Sequence, residues 1–393
     1  MKKINKKKYL LEKRKQVEAK KNEIRQARMR QHQAALNKRF LLREEMRSII
    51  QRANLKRNLY KKRNFVKGSQ TIVVKDHFGI EKDEYLSDYI QYSQAIANSN
   101  RTEITIDLTD VVRIWPSAVT FLCSFAKWIE LTTRLNKVTI NSIRAKDEKV
   151  NSYLKHCGFY DYVKIRRNID TGDYRDDEVV KILRQKKKSD YELREDEIIN
   201  LISKYSSYSE DDIERINSYI LTEIFTNVTE HGVYDGDVGW WILAQYHKTS
   251  GFITLCVADN GIGIRNSLAT GPQANIIKKE LSSEYIPNEI HDGIYIKKAC
   301  ESNISGALHA SIPKRNMKTF MRKRYKSGSR RGNGLKRIKD KCKDLGIRLS
   351  IVSHKGIYVL DNLGNEVLCM GFKEKIFAGT MYQLTIETKK VTQ

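Results

Sequence analysis

Proline and glycine are scarce where this chain begins. Its 393 residues hold 4 Pro, the first at Pro116, and no Gly precedes Gly68. A stretch lacking both cannot be a succession of tight turns. Residues 1–67 are instead rich in Lys, Arg, Gln, Ala, Leu and Glu, all good helix formers. Cysteine is also sparse. Cys123, Cys157, Cys256, Cys300, Cys342 and Cys369 include no Cys-x-x-Cys pair. That spacing excludes a zinc ribbon, argues against a disulfide framework, and leads us to expect free thiols in a reducing, cytoplasmic setting. No apolar run approaches the roughly 18 residues of a membrane span, so no membrane partner is expected. No apolar core of roughly 7–15 residues follows the basic start Met1-Lys2-Lys3, so no secretory signal is expected either.

Acidic residues are the remaining shortage, 47 Asp and Glu against 73 Lys and Arg, for a net charge of +26. Residues 1–68 hold 24 Lys and Arg against 5 Glu, so +19 of that excess is local and the other residues carry only +7. The apolar positions of this segment (Leu10, Val17, Ile24, Leu36, Phe40 among them) keep no sustained heptad, which argues against a coiled coil. We read residues 1–68 as a basic helical arm suited to nucleic acid or another polyanion, the alternative being a solvated tail.

From Gln70 the texture changes. Thr71–Val74, Glu103–Leu108 and Lys137–Asn141 read as strands; Ser117–Thr133 and Lys149–His156 read as helices, the second closed by Gly158. The run from Ile104 through Trp115-Pro116-Ser117-Ala118, followed by Leu154-Lys-His-Cys-Gly158-Phe, resembles the STAS domain of anti-sigma-factor antagonists. That resemblance implies an α/β domain over 69–165, a protein partner for it, and Ser117 as a candidate phosphoacceptor. The Asp-Ser-Ser-Gly usual in the family is replaced here by Trp115-Pro116-Ser117-Ala118, and a plain helix-start role is also open to Ser117. Residues 166–205, dense in charge of both signs, read as a helical linker or an adapter between domains.

The chemistry is concentrated after residue 206. Ile213, Ile216, Ile220, Leu221, Ile224, Phe225 and Val228 recur at helical spacing through Asp211–Glu230. Glu223 and Asn227 stand four apart on that helix and so share a side, with His231 one turn further on. A carboxylate and an amide so placed can hold a water or hydroxyl together with magnesium, although His231 fits packing or a helix end better than ligation. Strands Gly239–His247 and Phe252–Val257 follow, the second running into Asp259-Asn260-Gly261-Ile262-Gly263. A carboxylate at a strand end with glycines after it suits the amino edge of adenine. Arg331-Gly332-Asn333-Gly334-Leu335 then opens a helix over Leu335–Leu345, offering backbone N–H groups to phosphate. Gly379-Thr380 enters a last strand over Met381–Ile386.

Glu223-x-x-x-Asn227, Asp259-x-Gly261-x-Gly263, Gly332-x-Gly334 and Gly379-Thr380, in this order over about 180 residues, resemble the GHKL ATPases, a family of gyrases, heat-shock chaperones, histidine kinases and mismatch-repair proteins. Leu221-Thr-Glu-Ile-Phe-Thr-Asn-Val-Thr-Glu-His-Gly232 is similar to their anti-sigma-factor serine kinases. The resemblance implies an α+β chain with a Bergerat-type α/β sandwich over 206–388 that binds ATP and Mg2+. It would make Glu223 the general base and Asn227 the magnesium ligand. Asp259 would read adenine, with Thr380 supporting it through a water, and Gly261, Gly263, Gly332 and Gly334 would serve as phosphate contacts and lid hinges. The stretch between the second and third motifs would be the ATP lid, and its last part, Lys314–Arg331, holds nine Lys or Arg and no acid. No His in a phosphoacceptor context precedes this region, which argues against a sensor kinase. The chain stops soon after the last strand, so no transducer domain is expected. Two readings follow: an enzyme that hydrolyses ATP or passes its γ-phosphoryl to a Ser or Thr, and an ATP-gated interaction module tethered by its arm. Either is compatible with a homo-oligomer.

Overall fold

The computed structural model describes residues 65–132, 138–165, 178–185, 192–229, 239–271, 273–301 and 333–388, together with Gln26. The chain is mixed α+β and contains two sheets, one parallel and one antiparallel. Expectations that fall on residues 1–64, apart from Gln26, or on the basic stretch 314–331, His231 and Gly332, lie outside the described residues.

The first sheet is built from β1 (Val66–Phe78), β2 (Arg101–Ile114), β3 (Thr139–Ile143) and β4 (Lys164–Ile165), parallel and in chain order. Parallel neighbours need crossover connections. These are supplied by α1 (Leu86–Ala97), α2 (Pro116–Thr132) and α3 (Glu148–His156). Each cap follows from its sequence. The Asp147 side chain accepts the Lys149 N–H at 2.7 Å to start α3, and Gly158, at φ 83°, closes the turn after it. β1 begins at Val66, inside the span read as arm, and β2 runs through Ile114 rather than stopping at Leu108.

The second sheet is antiparallel, with strand order β10-β9-β8-β11-β7-β6-β5. Its strands are β5 (Val179–Gln185), β6 (Trp240–His247), β7 (Phe252–Asp259), β8 (Arg348–Ser353), β9 (Gly356–Leu360), β10 (Glu366–Gly371) and β11 (Thr380–Glu387). The described residues of the span 166–205 are built into the fold, a helix among them. β5 pairs with β6, the Ile182 N–H donates to the Cys157 carbonyl at 2.8 Å, and α4 (Glu192–Tyr205) buries Ile198, Leu201 and Ile202. Lysines and acids on the outward positions hid this apolar series. Much of the stretch read as lid is likewise folded, as α7 (Gly263–Thr270), α8 (Ala274–Glu284) and α9 (Asp292–Ala299).

Period-two alternation sends the sheet's side chains to two different cores. Trp240, Ile242, Ala244, Val257, Ile351 and Tyr382 join one core with Ile220, Ile224 and Phe225 from the helices. Trp241, Leu243, Ala258, Val352 and Met381 join the other with Phe78, Phe121, Leu122 and Phe125 from the first unit. Helix α2 is thus enclosed between two sheets, and every residue from Trp115 to Phe125 is buried. A helix buried on all sides is mostly apolar, as Ala118, Val119, Phe121, Leu122 and Phe125 are, and its buried Ser117 and Ser124 are hydrogen-bonded. Trp115 stacks on Phe252 with centroids 5.6 Å apart, and Phe121 meets Phe377 at 6.0 Å. The two units share a core instead of being strung on a tether. Among the described residues no helix is long and apolar enough to cross a membrane, and the six cysteines are free.

Candidate functional site

The helical half of the site comes from one interrupted helix. α5 (Glu210–Arg215) passes through a π-helical turn (Ile216–Leu221) into α6 (Thr222–Asn227), and the Thr222 hydroxyl donates to the Asn217 carbonyl at 2.9 Å across the wide turn. An α-helical four-residue repeat drifts around the axis, and a turn closed i to i+5 offsets that drift. Ile216, Ile220, Ile224 and Val228 are all buried in one core as a result. Glu223 and Asn227 stand beside this stripe, where α10 (Gly334–Asp344) begins. A Cβ on Gly334 would lie 3.0 Å from Glu223 Oε2, a tight approach that would press on the carboxylate, and 3.7 Å from Asn227 Oδ1, an ordinary contact. Arg337, one turn into α10, donates from Nη1 to Glu223 Oε1 at 2.8 Å. The Asn227 side chain lies against the Tyr382 hydroxyl, yet its Nδ2 is buried without a satisfactory acceptor. An orphaned buried amide costs stability and marks a place where a ligand can supply the partner.

The sheet half is formed where β7 ends. Asp259 pairs with Thr380 across β11 and shares the parity of Val257, so it faces the helices along with Tyr382. Burial pushes its carboxyl up to about 7, against the pull of N–H donors from Gly261 and Thr380. The Gly261 N–H sits 2.7 Å from Asp259 Oδ1. Gly263 is held at φ 73° with the His354 ring packed beneath it, where a Cβ would come within 2.2 Å of Cδ2. Burial holds His354 neutral, its pKa lowered to about 4, and its Nε2 has no partner. The Thr380 hydroxyl lies 3.2 Å from Ser353 Oγ, which also accepts the Ile264 N–H at 2.9 Å.

No protein-family model, curated protein or solved structure matches this chain.

Glu223, Asn227, Gly334, Asp259 and Thr380 are thus brought to one side of the antiparallel sheet. Gly261 and Gly263 support that arrangement from within the loop, one by capping Asp259 and the other by packing on His354. Ser117, the candidate phosphoacceptor, lies outside this group, in the core of the first unit. It is fully buried at the start of α2, where its hydroxyl donates to Glu81 Oε2 at 2.8 Å and accepts the Ile80 N–H at 3.1 Å. Three further participants escaped the sequence reading. Arg337 had a signal in its i, i+3 spacing from Gly334. His354 and Tyr382 had none, because strand pairing alone brings them in. Asn260, the residue between Asp259 and Gly261, turns away from the site. It accepts the Ser124 hydroxyl at 2.8 Å and donates to the Ser124 carbonyl at 3.2 Å, fastening the loop to α2.

Among the described residues no group of three or more His, Cys, Asp or Glu is placed to hold a metal ion. A cation here would need the Asn227 carbonyl oxygen and oxygens brought by a ligand or water. That donor set is hard and oxygen-rich, which suits magnesium carried on phosphate.

Proposed function

We propose that the chain binds ATP with magnesium between α6, the start of α10 and the ends of β7 and β11, as a GHKL-type domain in a Bergerat-like sandwich, and uses it as a nucleotide-dependent switch. The observation that carries this reading is the convergence of four sequence-distant motifs on one face of the sheet. A base carboxylate (Glu223) and an unsatisfied amide (Asn227) meet a glycine-opened helix N-terminus, on the side of the sheet that also carries a buried acid (Asp259) at a strand end. When bound, the nucleotide would supply the phosphoanhydride and, with magnesium, the charge that polarises it. The protein's residues divide the remaining work. Asp259 accepts from the adenine amino group, the first N–H groups of α10 face phosphate, Asn227 contributes an oxygen to the cation, and Glu223 takes a proton from the attacking hydroxyl or water.

The burial of Ser117 favours hydrolysis, or transfer to a separate Ser or Thr substrate, over transfer to the neighbouring unit. The first unit, STAS-like in its sequence, acts in this reading as an integral wall, since Asn260 and Ser124 join the nucleotide loop to α2. The test is calorimetry of Mg-ATP on wild type and Asp259→Asn. Affinity should fall by at least tenfold in a variant that melts like wild type. Undiminished affinity would overturn the assignment. Incubation with γ-labelled ATP, with Glu223→Ala as control, then separates release of free phosphate from protein labelling.

A further inference from the structure

The carboxylate assigned as base is not free. One oxygen of Glu223 is bonded to Arg337 and the other lies 3.0 Å from where a Cβ on Gly334 would stand, so both face the first turn of α10. The pair is largely removed from water, with the side chains 13% and 31% exposed for Glu223 and Arg337. A half-buried pair of this kind holds firmly, and each partner is costly to leave alone. Lys336, the neighbouring cation on α10, is engaged by Asp340 instead, which leaves Arg337 as the cation aimed across at α6. A guanidinium presents the same planar fork to a carboxylate and to a phosphate.

We propose that Arg337 is a positioning residue that exchanges partners. Without nucleotide its guanidinium holds Glu223 and keeps the base engaged. A phosphate arriving at the first turn of α10 takes the guanidinium over and releases the Glu223 carboxylate toward the reacting atoms. The inference rests on the ATP reading and adds a trigger to it: the base becomes available only when phosphate is present, so adenosine alone leaves the pair intact. No bond is made or broken in the exchange, and the net charge of the pair is unchanged.

The test is a double-mutant cycle on the full chain, using calorimetry with magnesium and the non-hydrolysable β,γ-imido analogue of ATP, and in parallel with adenosine. Arg337→Gln should weaken the analogue about tenfold, the equivalent of one charge-assisted hydrogen bond. Glu223→Gln, which frees the guanidinium in advance, should tighten it about tenfold, and that gain should vanish in the Arg337→Gln background. Arg337→Lys, which keeps the charge without the fork, should fall between wild type and Arg337→Gln. Adenosine should bind all variants as it binds wild type, which also reports that they are folded. Equal tightening by Glu223→Gln in both backgrounds would mean that the carboxylate merely repels phosphate, and would overturn the exchange. So would undiminished affinity for the analogue in Arg337→Gln. Failure of wild type to bind either adenosine or the analogue would overturn the underlying ATP reading, and the exchange with it.

Discussion

Glu81 occupies a position where a single substitution should change sign with pH. It is 4% exposed, its oxygens accept the Ser117 N–H at 3.1 Å and the Ser117 hydroxyl at 2.8 Å, and burial pushes its carboxyl up to about 7 from 4.5. The folded chain therefore keeps a proton that the unfolded chain releases between about pH 4.5 and 7. Stability from this group is full below that window and is lost as pH rises through it. At about 1.4 kcal/mol per pH unit, the ionised form costs on the order of 3 kcal/mol at pH 8. Glu81→Gln removes this cost but gives up one acceptor, orphaning the Ser117 hydroxyl proton at about 1 kcal/mol. The variant should be more stable than wild type by about 2 kcal/mol at pH 8 and less stable by about 1 kcal/mol at pH 4. At about 1–2 °C per kcal/mol for a chain of 393 residues, the pH 8 melt should rise by roughly 2–4 °C. Burial holds His247 and His354 neutral, with pKa values lowered to about 3 and about 4 from 6.5, so they contribute the opposite slope as pH falls below 6.5. The difference between variant and wild type cancels that contribution, which makes it the quantity to measure by calorimetric melts from pH 4 to 8. A difference that is constant across this range, or a variant less stable at pH 8, would refute the reasoning.

The remaining predictions concern the loop and the arm. Gly263→Ala should destabilise the chain by about 1–3 kcal/mol, because the residue sits at φ 73° over the His354 ring; a melt within 1 °C of wild type, roughly the scatter such scans allow, would mean the ring moves aside freely. Ser124→Ala leaves the buried Asn260 oxygen without its donor and should lower the urea midpoint by the equivalent of about 1–3 kcal/mol. The same variant should weaken adenosine binding, an effect absent if the loop and α2 are uncoupled. Deleting residues 1–64, a cut that spares β1 from Val66 onward, should abolish the salt-dependent part of DNA or RNA binding. Retention of the full salt slope in the truncated chain would place the binding surface elsewhere.

Local patterns in the sequence predicted most of the elements but not what they rest on. The strands ending at His247 and Asp259 and the helix opening at Gly334 fall within a residue or two of their expected bounds, because alternation and capping are short-range properties. β5 escaped because Lys181, Arg184 and the charged residues around it outweigh a strand of seven residues. The helices α7 to α9 occupy the stretch where the resemblance implies a lid, although Ile264 and Leu268, and Ile277 and Leu281, are buried at helical spacing. Ser117 shows the limit of such patterns, since a start-of-helix serine looks the same in sequence whether it faces solvent or, as here, the buried Glu81.

What the amino-acid sequence determined by itself was therefore the cast and its order: Glu223 and Asn227 one helical turn apart, Asp259 at a strand end, glycines at the loop and the helix start, and a basic arm. Spacing along a helix or strand is set by backbone geometry within a few residues and is readable there. Only the tertiary structure decided that Arg337 would sit on Glu223, that Asn260 would leave the site to hold Ser124, and that α2 would be closed in by a second sheet. These are contacts between residues more than a hundred positions apart. They are fixed by which faces of two sheets find apolar surface to bury, and hydrophobic burial is non-directional, so local spacing carries no record of the partner it will select.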